Sequence, residues 1–467
     1  MKAMSLRQIA TACGGCYFGD ESKLDLYVAG VAIDSRKIEE GYLFIPIKGA
    51  RVDGHTFIPQ VMEKGAFCTL TEQPLGDVSY PHIVVESCEQ ALKDLAEHYR
   101  RALDIKVVGI TGSVGKTSTK EMISSVLSQK YNVLKTAGNF NNEIGLPLTI
   151  FNIREEHEVA VLEMGISDFG EMSRLAKMAR PDICVITNIG LCHLENLGDR
   201  AGVLSAKTEM FAFRQPGAKI ILNGDDDQLQ LVKEWEGCFP TYFGLSEKNE
   251  AYARDIQSLS LRGTTCVLQI GDTEISVAIP IPGRHMVYNA LAGALVGIEL
   301  GLTPEEVKAG IENLMPVEGR NRLIETEHYF LLDDCYNANP ISMKASLDVL
   351  CTVETRQVAI LGDMFELGQE EKKLHFEIGT YAAKKGIDVL VCIGKLSTET
   401  ARGATDSDTQ VFNFETKETF FEQADTILQK GDTILVKASH GMAFSEVIKF
   451  LQNLDDCSIV KNGSLER

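Results

Sequence analysis

The spacing of hydrophobic positions changes twice along this chain of 467 residues. In the first part, short apolar runs at residues 43–47 and 82–85 are rich in β-branched or aromatic side chains and predict strands. Residues 90–103 carry apolar side chains at helical spacing and predict a helix that leads into the next part of the chain. These patterns predict a small, strand-rich α/β domain at residues 1–83.

From about residue 105 the pattern becomes an alternation of short β-rich runs with helical segments. Such alternation is typical of a mostly parallel sheet covered by helices. Thr303-Pro-Glu-Glu306 predicts a capped helix start, with proline in the first turn, and this helix should run to about Met315. The predicted strands of this part are residues 105–110, 159–163, 183–188 and 219–222.

A second α/β series follows Pro316. We therefore predict an α/β protein of three domains, with boundaries at 1–83, 84–316 and 317–467. The last domain has predicted strands at residues 330–333, 357–361, 389–393 and 433–437, and predicted helices at residues 342–353, 372–385 and 417–428.

Composition and charge narrow the functional classes. The chain has 46 Lys plus Arg against 66 Asp plus Glu, a net charge of −20, which argues against nucleic-acid binding. No signal peptide and no long apolar run is visible, so we expect no membrane insertion. The 12 cysteines are dispersed, which fits a reducing, cytoplasmic location. Cys13-Gly-Gly-Cys16 has the spacing of half a zinc site or of a redox pair, but no second pair completes it.

The strongest chemical motif runs from Ile110 to Ser118, between a predicted strand and an amphipathic helix. Its glycines let backbone N–H groups turn towards phosphate oxygens, and the helix N-terminus adds a partial positive charge. Lys116 can reach the β- and γ-phosphates, and Thr117 can bind Mg²⁺. The usual P-loop has glycine at the position of Ile110, so a glycine-rich turn without a nucleotide is the alternative.

Three further candidate residues belong to the same predicted sheet: one ends a strand, one lies in a loop, and one lies in a helical segment. Glu163 ends a strand, where ligands bind in open α/β folds, and beside a phosphate loop it is a natural Mg²⁺ ligand. His193 lies in the loop after the next strand, and Lys207 lies in a helical segment. Taken singly, each has a bland alternative as an ordinary solvated or packing side chain.

Together these motifs resemble the Mur ligase family over essentially the whole chain. The N-terminal motifs are Asp34-Ser-Arg36, Gly41-Tyr-Leu-Phe-Ile-Pro46, Lys48-Gly49 and Asp53-Gly-His55, and the central ones are Thr111-Gly-Ser-Val-Gly-Lys-Thr117, Asn139-Phe-Asn-Asn-Glu-Ile-Gly-Leu-Pro147 and Gly283-Arg-His-Met-Val-Tyr-Asn289. The C-terminal motifs are Glu318-Gly-Arg320, Asp333-Asp-Cys-Tyr-Asn-Ala-Asn-Pro340, Gly362-Asp-Met-Phe-Glu-Leu-Gly368 and Lys437-Ala-Ser-His-Gly-Met442. The chain departs from the family at Met286, where a second asparagine is usual, and in the 437–442 loop.

The resemblance implies a role for each motif. The first domain would bind UDP, the central P-loop domain would be the ATPase, and the C-terminal domain would be Rossmann-like. Lys116, Glu163, His193 and Lys207 would be catalytic, and Lys207 would be carbamylated by CO₂. Implied Mg²⁺ ligands are Thr117, Glu163, His193 and Lys207. Implied ATP-binding residues are Gly112, Ser113, Val114, Gly115, Lys116, Thr117, Ser118, Asn289, Arg320 and Asp334. Implied UDP-substrate residues are Ser35, Arg36, Lys48 and Gly49, and implied dipeptide-side residues are Tyr336, Asn337 and Asn339.

The implied reaction is ATP-dependent formation of an amide bond through an acyl phosphate. The partners would be a UDP-muramoyl tripeptide, D-alanyl-D-alanine and ATP, and we expect a monomer. The Tyr336-Asn-Ala-Asn-Pro340 run favours dipeptide addition over the sister reactions, which add a single amino acid or add glutamate to folate. A nucleotide-binding switch and an inactive homologue are the alternatives outside this class.

Overall fold

The computed structural model describes residues 1–462 as three main sheets with their helices, which we call the N-terminal, central and C-terminal units, and one further two-stranded pair. The strands predicted from the sequence are all present, and the central and C-terminal sheets contain further strands that were not predicted. Among the described residues, no helix has the length and apolar character needed to cross a membrane. The boundaries predicted for the domains stay a prediction.

The N-terminal unit is a mixed sheet of strand order β2-β7-β6-β5-β4, with a β1–β3 pair beside it. Neighbouring strands from β4 to β7 are parallel, and β2 is antiparallel to β7. The strands are β1 (Met4–Ser5), β2 (Cys16–Phe18), β3 (Tyr27–Val28), β4 (Gly30–Ala32), β5 (Tyr42–Phe44), β6 (Cys68–Thr71) and β7 (His82–Val84), and the helices are α1 (Leu6–Ala12) and α2 (Ile58–Glu63).

Helix α3 (Cys88–Arg101) fixes the N-terminal unit on the central one. Its apolar face is buried, and two polar side chains of its last turn bond to central backbone. Tyr99 Oη donates to Ile153 O at 2.6 Å, and Arg100 Nε donates to Ala179 O at 3.0 Å. Because these bonds are buried, they stabilise one orientation of the two units.

The central unit is one sheet of order β16-β15-β14-β13-β12-β11-β8-β10-β9. Strands from β9 to β14 pair in parallel, whereas β14, β15 and β16 pair antiparallel. The strands are β8 (Lys106–Thr111), β9 (Val133–Lys135), β10 (Val159–Glu163), β11 (Ile183–Ile186), β12 (Lys219–Asn223), β13 (Thr241–Gly244), β14 (Ala251–Ser258), β15 (Thr264–Ile270) and β16 (Thr273–Ile279). The helices are α4 (Lys116–Leu127), α5 (Gly145–Phe151), α6 (Glu171–Ala179), α7 (Leu194–Leu197), α8 (Arg200–Thr208), α9 (His285–Glu299) and α10 (Pro304–Glu312).

The C-terminal unit has strand order β17-β18-β22-β19-β20-β21, parallel except for the edge pair β17–β18. The strands are β17 (Arg322–Glu325), β18 (Phe330–Asp333), β19 (Gln357–Gly362), β20 (Val389–Ile393), β21 (Gln410–Phe414) and β22 (Thr433–Lys437). The helices are α11 (Pro340–Leu350), α12 (Glu371–Lys385), α13 (Ser397–Ala404), α14 (Lys417–Phe421), α15 (Ala424–Ile427) and α16 (Ser445–Asn462).

Three predicted helices differ from the structure. The helix predicted at residues 342–353 is α11, which begins at Pro340 and ends at Leu350. The helix predicted at residues 417–428 is interrupted, because Gln423 N donates to Phe420 O at 2.9 Å and tightens the last turn of α14. The helix predicted to reach Met315 has the capping box of Thr303 but ends at Glu312.

Candidate active site

The loop between β8 and α4 needs glycine at two positions. Gly112 has φ +152°, and a Cβ there would lie 1.9 Å from Thr187 Oγ1. Gly115 has φ +82° and immediately precedes α4. Within residues 1–462, no side chain caps the first turn of α4. The loop therefore presents an uncapped helix N-terminus, which is a favourable site for phosphate oxygens.

The end of β11 holds this loop in place. Val114 N donates to Asn188 Oδ1 at 2.9 Å, and Asn188 Nδ2 donates back to Val114 O at 2.9 Å. Thr187 Oγ1 also donates to Val114 O, at 2.6 Å, and Gly190 N donates to Ser113 Oγ at 2.8 Å. Sequence reasoning missed Asn188, although its place directly after a strand next to the phosphate loop was the available signal.

Lys116, Thr117 and Glu163 meet at the carboxyl edge of the central sheet. Lys116 Nζ donates to Gly112 O at 2.8 Å, and burial lowers the pKa of Lys116. Thr117 Oγ1 donates to Glu163 Oε2 at 3.0 Å, and Asn141 Nδ2 donates to Glu163 Oε1 at 2.8 Å. Glu163 is only 2% exposed. A buried carboxylate beside a hydroxyl is a donor set that fits Mg²⁺.

His193 and Lys207 face the same region from α7 and α8. His193 precedes α7 with φ +51°, and its Nδ1 lies 3.3 Å from Glu366 Oε2 of the C-terminal unit. Burial lowers the pKa of His193. Lys207 is 1% exposed, and burial, followed by the charge of Lys116, lowers its pKa to about 7. Much of Lys207 is thus the neutral amine near pH 7, which is the form that can react with CO₂.

A cavity of about 260 Å³ lies between the central and C-terminal units. Its polar end includes Val114, Gly115 and Ser118. Asn289 also lines it, where it accepts a hydrogen bond from Thr119 Oγ1 at 2.9 Å and donates to Met286 Sδ at 3.2 Å. An apolar cleft with few fixed polar groups is typical of a site for a small molecule. The apolar lining consists of Phe243, Ile281, Met286, Leu314, Met315, Val317 and Ile341.

Arg320 connects the C-terminal unit to the phosphate loop. Its Nη2 lies 3.4 Å from Thr117 Oγ1, and its guanidinium lies 4.0 Å over the ring of Tyr336. The Tyr336 ring lies in turn 5.1 Å from that of His440. Arg320 Nε is buried without a hydrogen-bond partner in the described part of the chain. An Arg with an unused donor at a phosphate loop is well placed to bind an anion.

The carboxylate of Asp334 is engaged in a buried hydrogen-bond network within the protein. It accepts hydrogen bonds from Lys437 Nζ at 2.5 Å, from Ser346 Oγ at 2.6 Å and from Asn321 N at 3.1 Å. Burial lowers the pKa of Lys437. Lys437 Nζ also donates to Asn337 O at 3.0 Å. Sequence reasoning did not foresee this ion pair, because its partners are 103 residues apart.

Asn339 and the four residues expected to bind UDP lie outside this constellation. Asn339 caps α11 through a bond from Ser342 N at 2.9 Å, so its side chain is engaged in the fold. Ser35, Arg36, Lys48 and Gly49 lie in the N-terminal unit. Arg36 forms an ion pair with Asp34, and Lys64 Nζ donates to Ser35 O and Arg36 O. The backbone of Lys48 forms an isolated antiparallel β-bridge with that of Asp53, and Gly49 N donates to Val52 O. A cavity of about 750 Å³ between the N-terminal and central units is lined by Asp34 but by none of these four.

Family models match most of the chain in three consecutive parts. They are described as Mur ligase family, catalytic domain, at residues 27–100; Mur ligase middle domain, at residues 110–297; and Mur ligase, glutamate ligase domain, at residues 319–440.

Curated relatives and solved structures agree with these models. The chain is 38% identical to UDP-N-acetylmuramoyl-tripeptide–D-alanyl-D-alanine ligase of Bacillus subtilis, over 91% of this chain and 93% of that one. It is 35% identical to the Escherichia coli protein of the same name, over 98% and 100%. Crystal structure I of MurF from Acinetobacter baumannii superposes with a TM-score of 0.90 at 29% identity, covering 97% of this chain and 99% of that one. MurF from Thermotoga maritima in complex with ADP gives 0.82 at 28% identity, covering 91% and 97%.

Proposed function

The chain belongs to the Mur ligase family, and we propose that it is the ATP-dependent ligase that joins D-alanyl-D-alanine to a UDP-N-acetylmuramoyl tripeptide. One observation carries the proposal. Arg320, from the segment that leads into the C-terminal unit, reaches Thr117 of the phosphate loop and packs on Tyr336 of the run resembling the dipeptide-adding branch. Arg320 therefore links the phosphate loop, on the ATP side, to the run assigned to the amine side.

The chemistry requires activation, because a carboxylate does not react with an amine while oxide would be the leaving group. The tripeptide carboxylate oxygen attacks the γ-phosphorus of ATP, and ADP leaves. The amine nitrogen of the dipeptide then attacks the carbonyl carbon of the acyl phosphate, and inorganic phosphate leaves as the nitrogen loses its proton. The protein contributes positioning and neutralisation of charge rather than covalent help.

The residues at the loop fit this requirement. Lys116 and the uncapped first turn of α4 bind the phosphates, while Arg320 supplies a second positive charge from the opposite unit. Asn289 faces the nucleotide cavity beside Met286. We include in the proposal the division into domains at 1–83, 84–316 and 317–467, with the UDP end of the substrate bound by the first.

Thr117, Glu163, His193 and Lys207 would hold Mg²⁺, with Lys207 as its carbamate. This donor set is supported by the buried Glu163 carboxylate and by the lowered pKa of the Lys207 amine. The ion would supply positive charge to the phosphate oxygens. A Lys207→Ala protein should lose activity and regain part of it with added short carboxylates. Absence of rescue, with ATP binding intact, would contradict the carbamate role.

The direct test incubates the protein with ATP, Mg²⁺ and UDP-N-acetylmuramoyl tripeptide, with and without D-alanyl-D-alanine. We expect phosphate release that depends on the dipeptide, together with a UDP-muramoyl pentapeptide visible by mass. Tripeptides ending in lysine and in diaminopimelate are compared in parallel. Release with a single amino acid instead would assign a sister reaction, and nucleotide binding without release under any amine would favour a switch.

A further inference from the structure

The N-terminal unit contains a cluster of side chains of the types that bind metal ions, outside the residues assigned above to the ligase reaction. His55, Glu72 and Cys88 each offer one ligand atom, and these atoms lie within 4.8 Å of one another. They come from three separate segments: the 3₁₀ turn Gly54–Phe57, the residue after β6, and the first residue of α3. The fold thus brings together an imidazole, a carboxylate and a thiol.

His55 is oriented as metal-binding histidines are. Its Nδ1 lies 2.7 Å from Asp53 Oδ1, and Asp53 Oδ1 also accepts the His55 backbone N–H at 3.0 Å. A proton on Nδ1 leaves Nε2 with a lone pair that points into the cluster, where its contact is a long one from the backbone N–H of Glu72, at 3.3 Å. A carboxylate behind a histidine in this way fixes the ring and raises its basicity as a ligand.

Cys88 and Glu72 face that lone pair. Cys88 Sγ lies 3.7 Å from His55 Nε2, and Cys88 is 1% exposed. Glu72 Oε1 accepts the backbone N–H of Cys88 at 3.0 Å, which holds the carboxylate beside the thiol. Glu72 N also donates to His55 Nε2, at 3.3 Å, beyond the usual range of such bonds, so an ion would replace a weak contact.

The distances and charges fit a zinc-type cation. A tetrahedral ion with Zn–S of about 2.3 Å and Zn–N of about 2.0–2.1 Å holds sulfur and nitrogen about 3.5 Å apart, close to the observed separation. One thiolate and one carboxylate balance a divalent charge, with the imidazole neutral. Glu72 is exposed, so a fourth position is open to water. Thiolate and imidazole donors select zinc over Mg²⁺ or Ca²⁺.

We propose that His55, Glu72 and Cys88 bind one Zn²⁺, oriented by Asp53, as a structural site independent of the ligase reaction. The ion ties the Gly54–Phe57 turn and the end of β6 to the start of α3, the helix that fixes the N-terminal unit on the central one. Binding to the folded chain alone would raise its stability by mass action.

The test uses the full chain, stripped with a chelator and titrated with Co²⁺ as the probe. We expect one equivalent to give a thiolate-to-cobalt charge-transfer band that Zn²⁺ abolishes by displacement. Cys88→Ser should lose the band. Cys192→Ser should keep it, and that result would exclude Cys192, the thiol next to His193, as the source of the band. Cys16→Ser, an exposed cysteine in the same unit, serves as the matched control.

Two further variants test Co²⁺ binding if Cys88→Ser folds poorly. Glu72→Gln changes an exposed side chain and should weaken Co²⁺ binding while circular dichroism stays unchanged. Asp53→Asn should weaken it about 10- to 100-fold. Zn²⁺ should raise the melting temperature of the unsubstituted chain but not of Cys88→Ser. The proposal is overturned by a missing band in the unsubstituted chain, by a band that survives Cys88→Ser, or by unchanged affinity in both Glu72→Gln and Asp53→Asn.

Discussion

Two strand-to-helix connections lie on opposite sides of one cavity, and their helix N-termini differ in whether a side chain caps them. The β8–α4 connection follows the central sheet and consists of a glycine-dependent turn with an uncapped helix start. The β18–α11 connection follows the C-terminal sheet, but Asn339 caps its helix and Pro340 fills the first position. The first offers its backbone to a ligand, whereas the second has its helix N-terminus occupied.

The difference implies different tasks for the carboxyl edges of the two sheets, which we call the central edge and the C-terminal edge. At β8–α4, anion binding is a local property of the loop. At β18–α11, the charged groups Asp334 and Lys437 neutralise each other inside the fold. The C-terminal unit therefore contributes positive charge to the cavity through Arg320, which comes from outside that connection. In the proposed reaction the central edge would bind the phosphates, and the packing of the C-terminal edge would complete the site.

The largest effect should come from the central edge. Lys116→Ala removes the cation beside the phosphates, and we expect the ligase rate at saturating ATP to fall on the order of 10³-fold. The rate is measured as ADP release in the presence of both peptide substrates. Lys106→Ala, at the opposite end of β8, should keep nearly full activity, since Lys106 pairs with Asp182 far from the loop. Equal losses in the two variants would contradict the assignment.

The ion pair of the C-terminal edge should instead affect stability. Lys437→Met leaves Asp334 buried without its cation and should cost about 3–5 kcal/mol. Urea unfolding followed by circular dichroism measures this cost. Lys385→Met removes the exposed partner of Asp348 in the same unit and should cost at most about 1 kcal/mol. Adding Asp334→Asn to Lys437→Met should recover part of the loss, and no recovery would mean that packing, not charge, dominates.

The pH dependence of the free energy of unfolding should report the pKa of Lys207, the buried amine of the central unit. In buffer free of CO₂, where Lys207 stays an amine and not the proposed carbamate, its pKa is lowered to about 7 in the folded chain, against about 10.4 when unfolded. Between these values the unfolded chain binds one proton more than the folded chain, so the free energy of unfolding rises with pH, by up to roughly 1.4 kcal/mol per pH unit. Below pH 7 both states are protonated and the slope disappears. Lys207→Met should lack this contribution, and identical pH profiles for the two proteins would refute the low pKa.

Local and distant contacts differ in how well the sequence predicts them. Strand β10 at Val159–Glu163 and strand β20 at Val389–Ile393 match their predictions, because continuous apolar runs bounded by turns determine them. The antiparallel strands β14–β16 were not foreseen. The pairing of Lys437 with Asp334 depends on two strands meeting in the sheet, so no local pattern encodes it. The role of Asn339 as a helix cap was not predicted either, although Asn-Pro before a helical segment was the available local signal.

The smallest effect should arise at Tyr336, which we proposed to lie on the side of the incoming amine. His440 packs on Tyr336, which packs under Arg320, so the ring of His440 supports the guanidinium through one intermediate. An aromatic contact of this kind contributes about 0.5–1.5 kcal/mol, and His440→Ala should therefore raise the KM for D-alanyl-D-alanine roughly 2- to 12-fold. His440→Phe keeps a ring against Tyr336 and should restore most of the loss. If the alanine variant instead raises the KM for ATP alone, the stack serves Arg320 at the phosphate side, and the dipeptide end must lie elsewhere on the C-terminal unit.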